Sequence, residues 1–428
     1  LGKRKCKNQI AFQGALVLHR GRIEEQHWEI HMAHLLTVSE PPPDNEGTMK
    51  HVLILPDSFK GTMSSEEVCD LMAKAVHAVF PECETTALPV ADGGEGSTDA
   101  FLKALPGRLV RLSVCGPVPG EQVEGFYGLV HEGRTAVIEL AAAAALPMVE
   151  DRKNPEKMTT YGVGQLMLAA AKSGAETVII GLGGSATNDG GCGAAAACGV
   201  KFLDKAGKAF VPVGGTLKDI ERIDLSGVDP AIRKVRFITM CDVTNPLCGP
   251  NGASAVFGPQ KGATPEMVSR LDAGLFHLAD IIKRDVGKEV RDLAGAGAAG
   301  GMGAGTVAFF DSQLKSGIET VLDAVHFDER LKDADMVFTG EGKIDGQSIQ
   351  GKVISGIATH AKRQNVPVVA VVGTIDGDMS GMYGIGVTSV FSILNKPGAF
   401  AELSKHCKED LYTTMVAICR LIGSQKYK

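Results

Sequence analysis

The feature that most limits the fold is a short apolar run with no polar face. HVLILP, residues 51–56, is almost continuously apolar, which is the pattern of a strand covered on both sides. The polar loop DSFKGTM follows, and then Ser64 with Glu67 three residues on, a capping-box pair that opens a helix. Val68, Leu71, Met72, Ala75, Val76 and Val79 recur behind it at helical spacing. The same order of strand, loop and helix returns near the C-terminus, as DMVFTG (335–340), EGKIDGQSIQGK (341–352) running into a helix to about Gln364, and the strand VPVVAVVG (366–373). This alternation predicts a parallel sheet with helices on both faces, and such sheets bind ligands in the loops at strand C-termini.

Between these ends the pattern changes. Residues 109–140 read as antiparallel strands with His131-Glu132-Gly133 as a hairpin turn, followed by a helix near 159–173. A second α/β domain of residues 116–315, inserted into a discontinuous one of residues 49–115 and 316–428, accounts for similar units at both ends. Residues 1–48 hold the only tryptophan, Trp28, and four of the eleven histidines, with no sustained period. They read as a poorly structured upstream extension with solvated histidines. KRKCKNQ followed by IAFQGALVL is a weak signal-peptide match, because Gln13 and Gly14 interrupt the apolar part and no small-residue cleavage site follows.

A formal charge of −6 gives no general field for nucleic acid or anionic membrane, so an anionic ligand must be caught by local groups. No apolar run approaches the roughly 18 residues needed to span a bilayer. The ten cysteines form no CxxC pair and no zinc-like cluster. Reduced thiols and a cytoplasmic location are the expectation, with a small molecule as ligand.

Glycine-rich loops with acids recur after the strands. DSFKGTMS (57–64) offers Asp57, Ser58 and Lys60 at a helix start, where backbone N–H groups and a lysine attract anions. In PVADGGEGSTDAF (89–101), Asp92 and Glu95 flank Gly93 and Gly94, so backbone can approach a ligand while the acids take Mg²⁺ or a hydroxyl. GLGGSATNDGG (181–191) follows the apolar run 177–180 and supplies Gly183, Gly184, Ser185, Thr187, Asn188 and Asp189. Glu341 and Asp345 sit in the loop after DMVFTG, and Asp242 and Asn245 in CDVTNPLCGPNGAS (241–254).

Three segments imitate other nucleotide motifs. GLGGSA fits GxGxxA after a strand, with Asp204 at about the distance of a ribose-binding acid, so an NAD(P)-dependent oxidoreductase competes. Against it, Asp189 stands where pyrophosphate would be gripped and would repel it. GAGAAGGMGAG (295–305) contains GxGxxG but follows the charged EVRDLA instead of a strand, and suits a ligand-hugging backbone or a linker. GQSIQGKV (346–353) has Val353 where a P-loop needs Ser or Thr. Phosphoryl transfer needs backbone and cations around phosphates, carboxylates for Mg²⁺ and a base for the attacking hydroxyl, and these loops together hold that inventory.

LPDSFKGTMSS, PVADGGEGS, GLGGSATNDGGCG, CDVTNPLCGPNGAS, FGPQKGA and FTGEGKIDGQSIQGK, in this order, resemble the class I glycerate kinases over about Met49 to Ile422. The resemblance implies ATP- and Mg²⁺-dependent phosphorylation of D-glycerate, with 2-phosphoglycerate as product. It also implies a flavodoxin-like domain, an inserted domain and an active site in the cleft between them. Joined to the loops, it casts Lys60 on glycerate carboxylate or transferring phosphate, and Asp189 as acceptor of the hydroxyl proton. Asp92, Glu95, Glu341 and Asp345 become metal or substrate contacts. A non-catalytic sugar-acid sensor remains a third possibility, since such clefts also serve effector binding.

Overall fold

A computed structural model describes residues 49–90, 96–345 and 352–424. The extension 1–48 and the loop residues Asp92, Gly93, Gly94 and Glu95 lie outside the described residues. Two principal sheets are built, in chain order, from β1 (His51–Pro56), β2 (Glu84–Ala87), β3 (Gly107–Cys115), β4 (Gln122–Val130), β5 (Thr135–Glu139), β6 (Thr177–Gly181), β7 (Arg236–Met240), β8 (Gln313–Lys315), β9 (Met336–Gly340), β10 (Val368–Val372) and β11 (Val387–Ser392).

The first sheet has the order β2-β1-β9-β10-β11 with every pairing parallel. Counted along the chain this is 2-1-3-4-5, the flavodoxin-like order. Why HVLILP lacks a polar face is now visible. Val52 and Ile54 join the apolar layer under the helices Ser65–Val79 and Cys407–Gly423, while Leu53 and Leu55 join the layer on the opposite side. The capping box forms as expected: Ser64 Oγ accepts the Glu67 N–H at 3.2 Å, and Glu67 accepts the Ser64 N–H at 2.9 Å.

The second sheet runs β8-β7-β6-β5-β4-β3, parallel from β8 to β5 and antiparallel from β5 to β3. Its hairpin turns at His131, Glu132 and Gly133, all left-handed with φ of 51°, 60° and 86°. β3 belongs to this sheet, which therefore begins at Gly107. The segment GPVPG forms the turn between β3 and β4. Its opposite edge strand, β8, ends at Lys315.

The two sheets share a core. Leu53 and Leu55 of β1 belong to one apolar cluster with Val137, Ile179 and Ile238 of the second sheet and with Ile318 and Ile357 of intervening helices. GAGAAGGMGAG is neither a linker nor a dinucleotide turn. It runs into the buried helix Ala298–Phe310, entered through Ala299, Gly300 and Gly301 in left-handed conformation.

Candidate active site

In a sheet of this order ligands bind where the strand order reverses, here between β1 and β9. A cavity of about 1050 Å³ opens at the loops that follow these strands. Asp57, Ser58 and Lys60 come from the loop after β1, and Glu341, Lys343 and Asp345 from the loop after β9. Lys352, at the N-cap of helix Val353–Arg363, completes the polar part. The β1 loop is tethered at its root, where the Asp57 N–H donates to the Gly340 carbonyl at 2.8 Å and the Asp57 carboxylate accepts the Ser58 N–H at 2.6 Å. Lys343 pairs with Asp376 at 2.7 Å and Lys352 lies 3.8 Å from Asp345. Cations and carboxylates thus both line this cavity.

A second cavity of about 420 Å³ lies at the C-terminal ends of β6 and β7. Gly183, Gly184 and Ser185 form one wall, Met240 and Cys241 another, and Lys261 borders it from the turn Pro259–Lys261. Asp242 borders both cavities. Its Oδ1 accepts the Gly317 N–H at 2.9 Å, so the start of helix Gly317–Ala324 fixes its orientation.

Lys261 is the strongest electrostatic feature of the smaller cavity. It is 2% exposed, and its Nζ donates to Ser185 Oγ at 2.8 Å and to the Thr187 carbonyl at 2.7 Å. Burial lowers its pKa to about 7, against the opposing pull of the Asp189 charge. An ammonium carries three donors, and two are placed by these bonds.

The model of the glycerate kinase family matches residues 52–423. The chain belongs to the glycerate kinase family. A glycerate kinase of Haemophilus influenzae is 45% identical over 376 residues, 88% of this chain and 99% of its own. The glycerate 2-kinase of Escherichia coli is 44% identical over 352 residues, 82% of this chain and 92% of its own. A crystal structure from Salmonella typhimurium LT2 assigned to glycerate kinase 2 matches with a TM-score of 0.78 at 43% identity, covering 87% of this chain and 98% of that one. As a glycerate kinase the chain is an enzyme, which removes the sensor alternative.

The residues expected to form the kinase site divide into those at the cavities and those turned away. Asp57, Ser58, Lys60, Asp242, Glu341 and Asp345 reach the larger cavity, and Gly183, Gly184, Ser185 and Asp242 the smaller. Thr187, Asn188 and Asp189 are completely buried and border neither. Asn188 Nδ2 donates to Ser254 Oγ at 3.1 Å, and Asn245 Nδ2 donates to the Asn251 carbonyl at 2.8 Å, so both fasten loops.

Asp189, expected as the proton acceptor, is enclosed by donors of its own chain. Its Oδ2 accepts the Thr160 N–H at 2.8 Å, the Thr160 hydroxyl at 2.9 Å and the Gly193 N–H at 3.2 Å, while its Oδ1 accepts the Gly191 N–H at 3.2 Å. Burial drives its pKa up, opposed by these hydrogen bonds from Thr160, Gly191 and Gly193. These bonds hold the loop to the start of helix Tyr161–Lys172. Asp204 is likewise engaged in its own turn, accepting the Ala206 and Lys208 N–H groups at 2.9 Å each. That removes the ribose-binding acid of the dinucleotide alternative.

Two functional neighbours escaped the sequence. Lys261 lies in FGPQKGA, where nothing local distinguishes a buried lysine from a solvated one. Glu139, 3% exposed at the end of β5, accepts the Gly96 N–H at 3.1 Å and the Thr98 N–H at 2.7 Å. It caps the helix that follows the ADGGE loop, so a protein carboxylate occupies that helix start. An acid ending the apolar strand TAVIE was the available signal. Among the described residues no helix is long and apolar enough to cross a membrane, and the nine described cysteines are free.

Proposed function

We propose that this protein transfers the γ-phosphoryl group of ATP to D-glycerate with Mg²⁺ as cofactor, giving 2-phosphoglycerate. The observation that carries this is the pair of unequal cavities meeting at Asp242, in a chain of the glycerate kinase family. The larger cavity takes the nucleotide and the smaller takes the three-carbon acid, so acceptor and donor meet at the shared carboxylate. The name of the Escherichia coli relative, glycerate 2-kinase, supports attack through the 2-hydroxyl.

The chain's own groups divide the work. Lys60 faces the transferring phosphoryl group. The Gly183-Gly184-Ser185 backbone and Lys261 receive the glycerate carboxylate. Asp242 orients the hydroxyl and accepts its proton as the new O–P bond forms and the bond from γ-phosphorus to the β,γ-bridging oxygen breaks, leaving ADP. A carboxylate that mainly positions the hydroxyl suffices when the transition state is loose.

The donor set fits Mg²⁺. Asp57, Glu341 and Asp345 supply hard oxygens at one cavity, while among the described residues no three acids, histidines or cysteines converge into a metal cage. Mg²⁺ typically takes one or two carboxylates and completes its shell with phosphate oxygens and water. These residues, with Asp92 and Glu95 as further candidates, would hold it, and when bound it offsets phosphate charge.

Phosphorus NMR of the protein with ATP, Mg²⁺ and D-glycerate tests the proposal. ADP and a single new phosphomonoester coupled to the C2 proton are expected. A C3-linked ester would refute the regiochemistry, and no ester at all would refute the reaction.

A further inference from the structure

The larger cavity has a second, apolar part that no phosphate or small acid explains. Ile393, Leu394, Gly398, Phe400 and Leu403, from the segment after β11, form this part of its wall. Phe400 is 68% exposed and Leu394 41% exposed, an unusual cost for an aromatic and an aliphatic side chain at a cavity that Lys60 and Lys352 also line. Exposed apolar surface joined to a polar cleft marks a ligand contact more often than a packing defect.

Resting on the kinase function above, we propose that Phe400, with Leu394 and Leu403, forms the seat for the base of the nucleotide donor. Phe400 and the cations Lys60, Lys343 and Lys352 line one cavity of about 1050 Å³, so a base stacked at Phe400 leaves its phosphates to the lysines of the same cavity. The polarity matches: an aromatic face suits any base, and the lysines suit the phosphates. Asp410 also borders the cavity and can accept from an exocyclic amine.

The test uses two variants of the full chain. Phe400→Trp places an indole in the seat, with wild type supplying the baseline from Trp28. Its fluorescence should change saturably with ADP and not with inorganic triphosphate or glycerate. Phe400→Ala should raise the KM for ATP about tenfold, within the roughly 5- to 150-fold range of one lost stacking contact, while the KM for glycerate stays within twofold. An active Phe400→Ala enzyme with unchanged KM for ATP, or an indole that responds equally to inorganic triphosphate, would overturn the seat and leave the kinase function standing. Absence of turnover in wild type would instead refute that function, and an indole that responds to glycerate alone would reassign the seat to the acceptor.

Discussion

Replacing Lys261 by methionine separates a catalytic cation from a structural pin. Methionine preserves length and apolar stem but removes the ammonium that binds Ser185 Oγ and the Thr187 carbonyl. For stability two effects oppose. Two hydrogen bonds from a charged donor are lost, each worth about 1.5–3 kcal/mol. The desolvation that pulls the lysine pKa down to about 7 is relieved as well. The melting temperature should therefore move little. Activity should not be spared, because a buried ammonium facing the glycerate carboxylate is worth about 2–5 kcal/mol when one partner is deleted, or roughly 30- to 5,000-fold in kcat/KM for glycerate. The pH dependence adds a second readout. Lys261 is protonated below about 7 in the free enzyme, so kcat/KM for glycerate should fall above that pH, and the limb should disappear in Lys261→Met. Stability moves oppositely: between about 7 and 10.5 the unfolded chain holds a proton that the native lysine has lost. Wild type should thus gain stability as pH rises through this window, by no more than about 1.4 kcal/mol per unit, and the variant should lack that slope. A folded Lys261→Met enzyme within threefold of wild-type kcat/KM would refute the anion-binding role.

Other perturbations follow from the same structure. Asp242→Asn should lower kcat by about 10²-fold or more with KM for glycerate nearly unchanged, whereas Asp189→Asn should lower the melting temperature, because an amide turned toward the Thr160, Gly191 and Gly193 N–H groups leaves a donor facing donors; equal kcat loss at unchanged melting temperature in Asp189→Asn would restore it as the base. Gly300→Ala should fail to give stable protein, since a Cβ there would sit 2.0 Å from the Thr187 carbonyl oxygen at a φ of +67°; a wild-type melting curve would disprove the interlock. His360 lies between Asp328 Oδ1 at 2.7 Å and Glu319 Oε2 at 3.0 Å. Burial disfavours its charged form, but hydrogen bonds to Asp328 and Glu319 outweigh this and raise its pKa above 6.5. The stability it adds over His360→Gln should therefore be complete below pH 6.5 and decline as pH rises through the raised value, and a difference that grows with pH would contradict the pairing.

The strands were legible because burial on two faces leaves an unmistakable trace. HVLILP and VPVVAVVG could only be central strands, and the capping box at Ser64 fixed where the first helix begins. Lys261 was illegible. A lysine's burial depends on what packs around it from distant segments, here Ser185 and Thr187, more than seventy residues away. Phe400 was missed because the sequence records no exposure, and one phenylalanine in LNKPGAFAEL looks like any core residue.

GLGGSATNDGG shows where such reading meets its limit. Its first part, Gly183 to Ser185, borders the smaller cavity. Its second part turns inward and locks against the other glycine-rich segment, with the Gly190 N–H donating to the Gly300 carbonyl at 3.0 Å. A Cβ on Gly305 would stand 2.4 Å from the Gly190 oxygen. Backbone hugging a ligand and backbone hugging backbone make the same demand for absent side chains, so glycine content alone could not assign the halves. The acid decides between them. Asp242 borders both cavities, whereas Asp189 is enclosed by four donors and borders neither. Lys261 donates to Ser185 of the outer half and to the Thr187 carbonyl of the inner half, so one buried cation ties the two halves together.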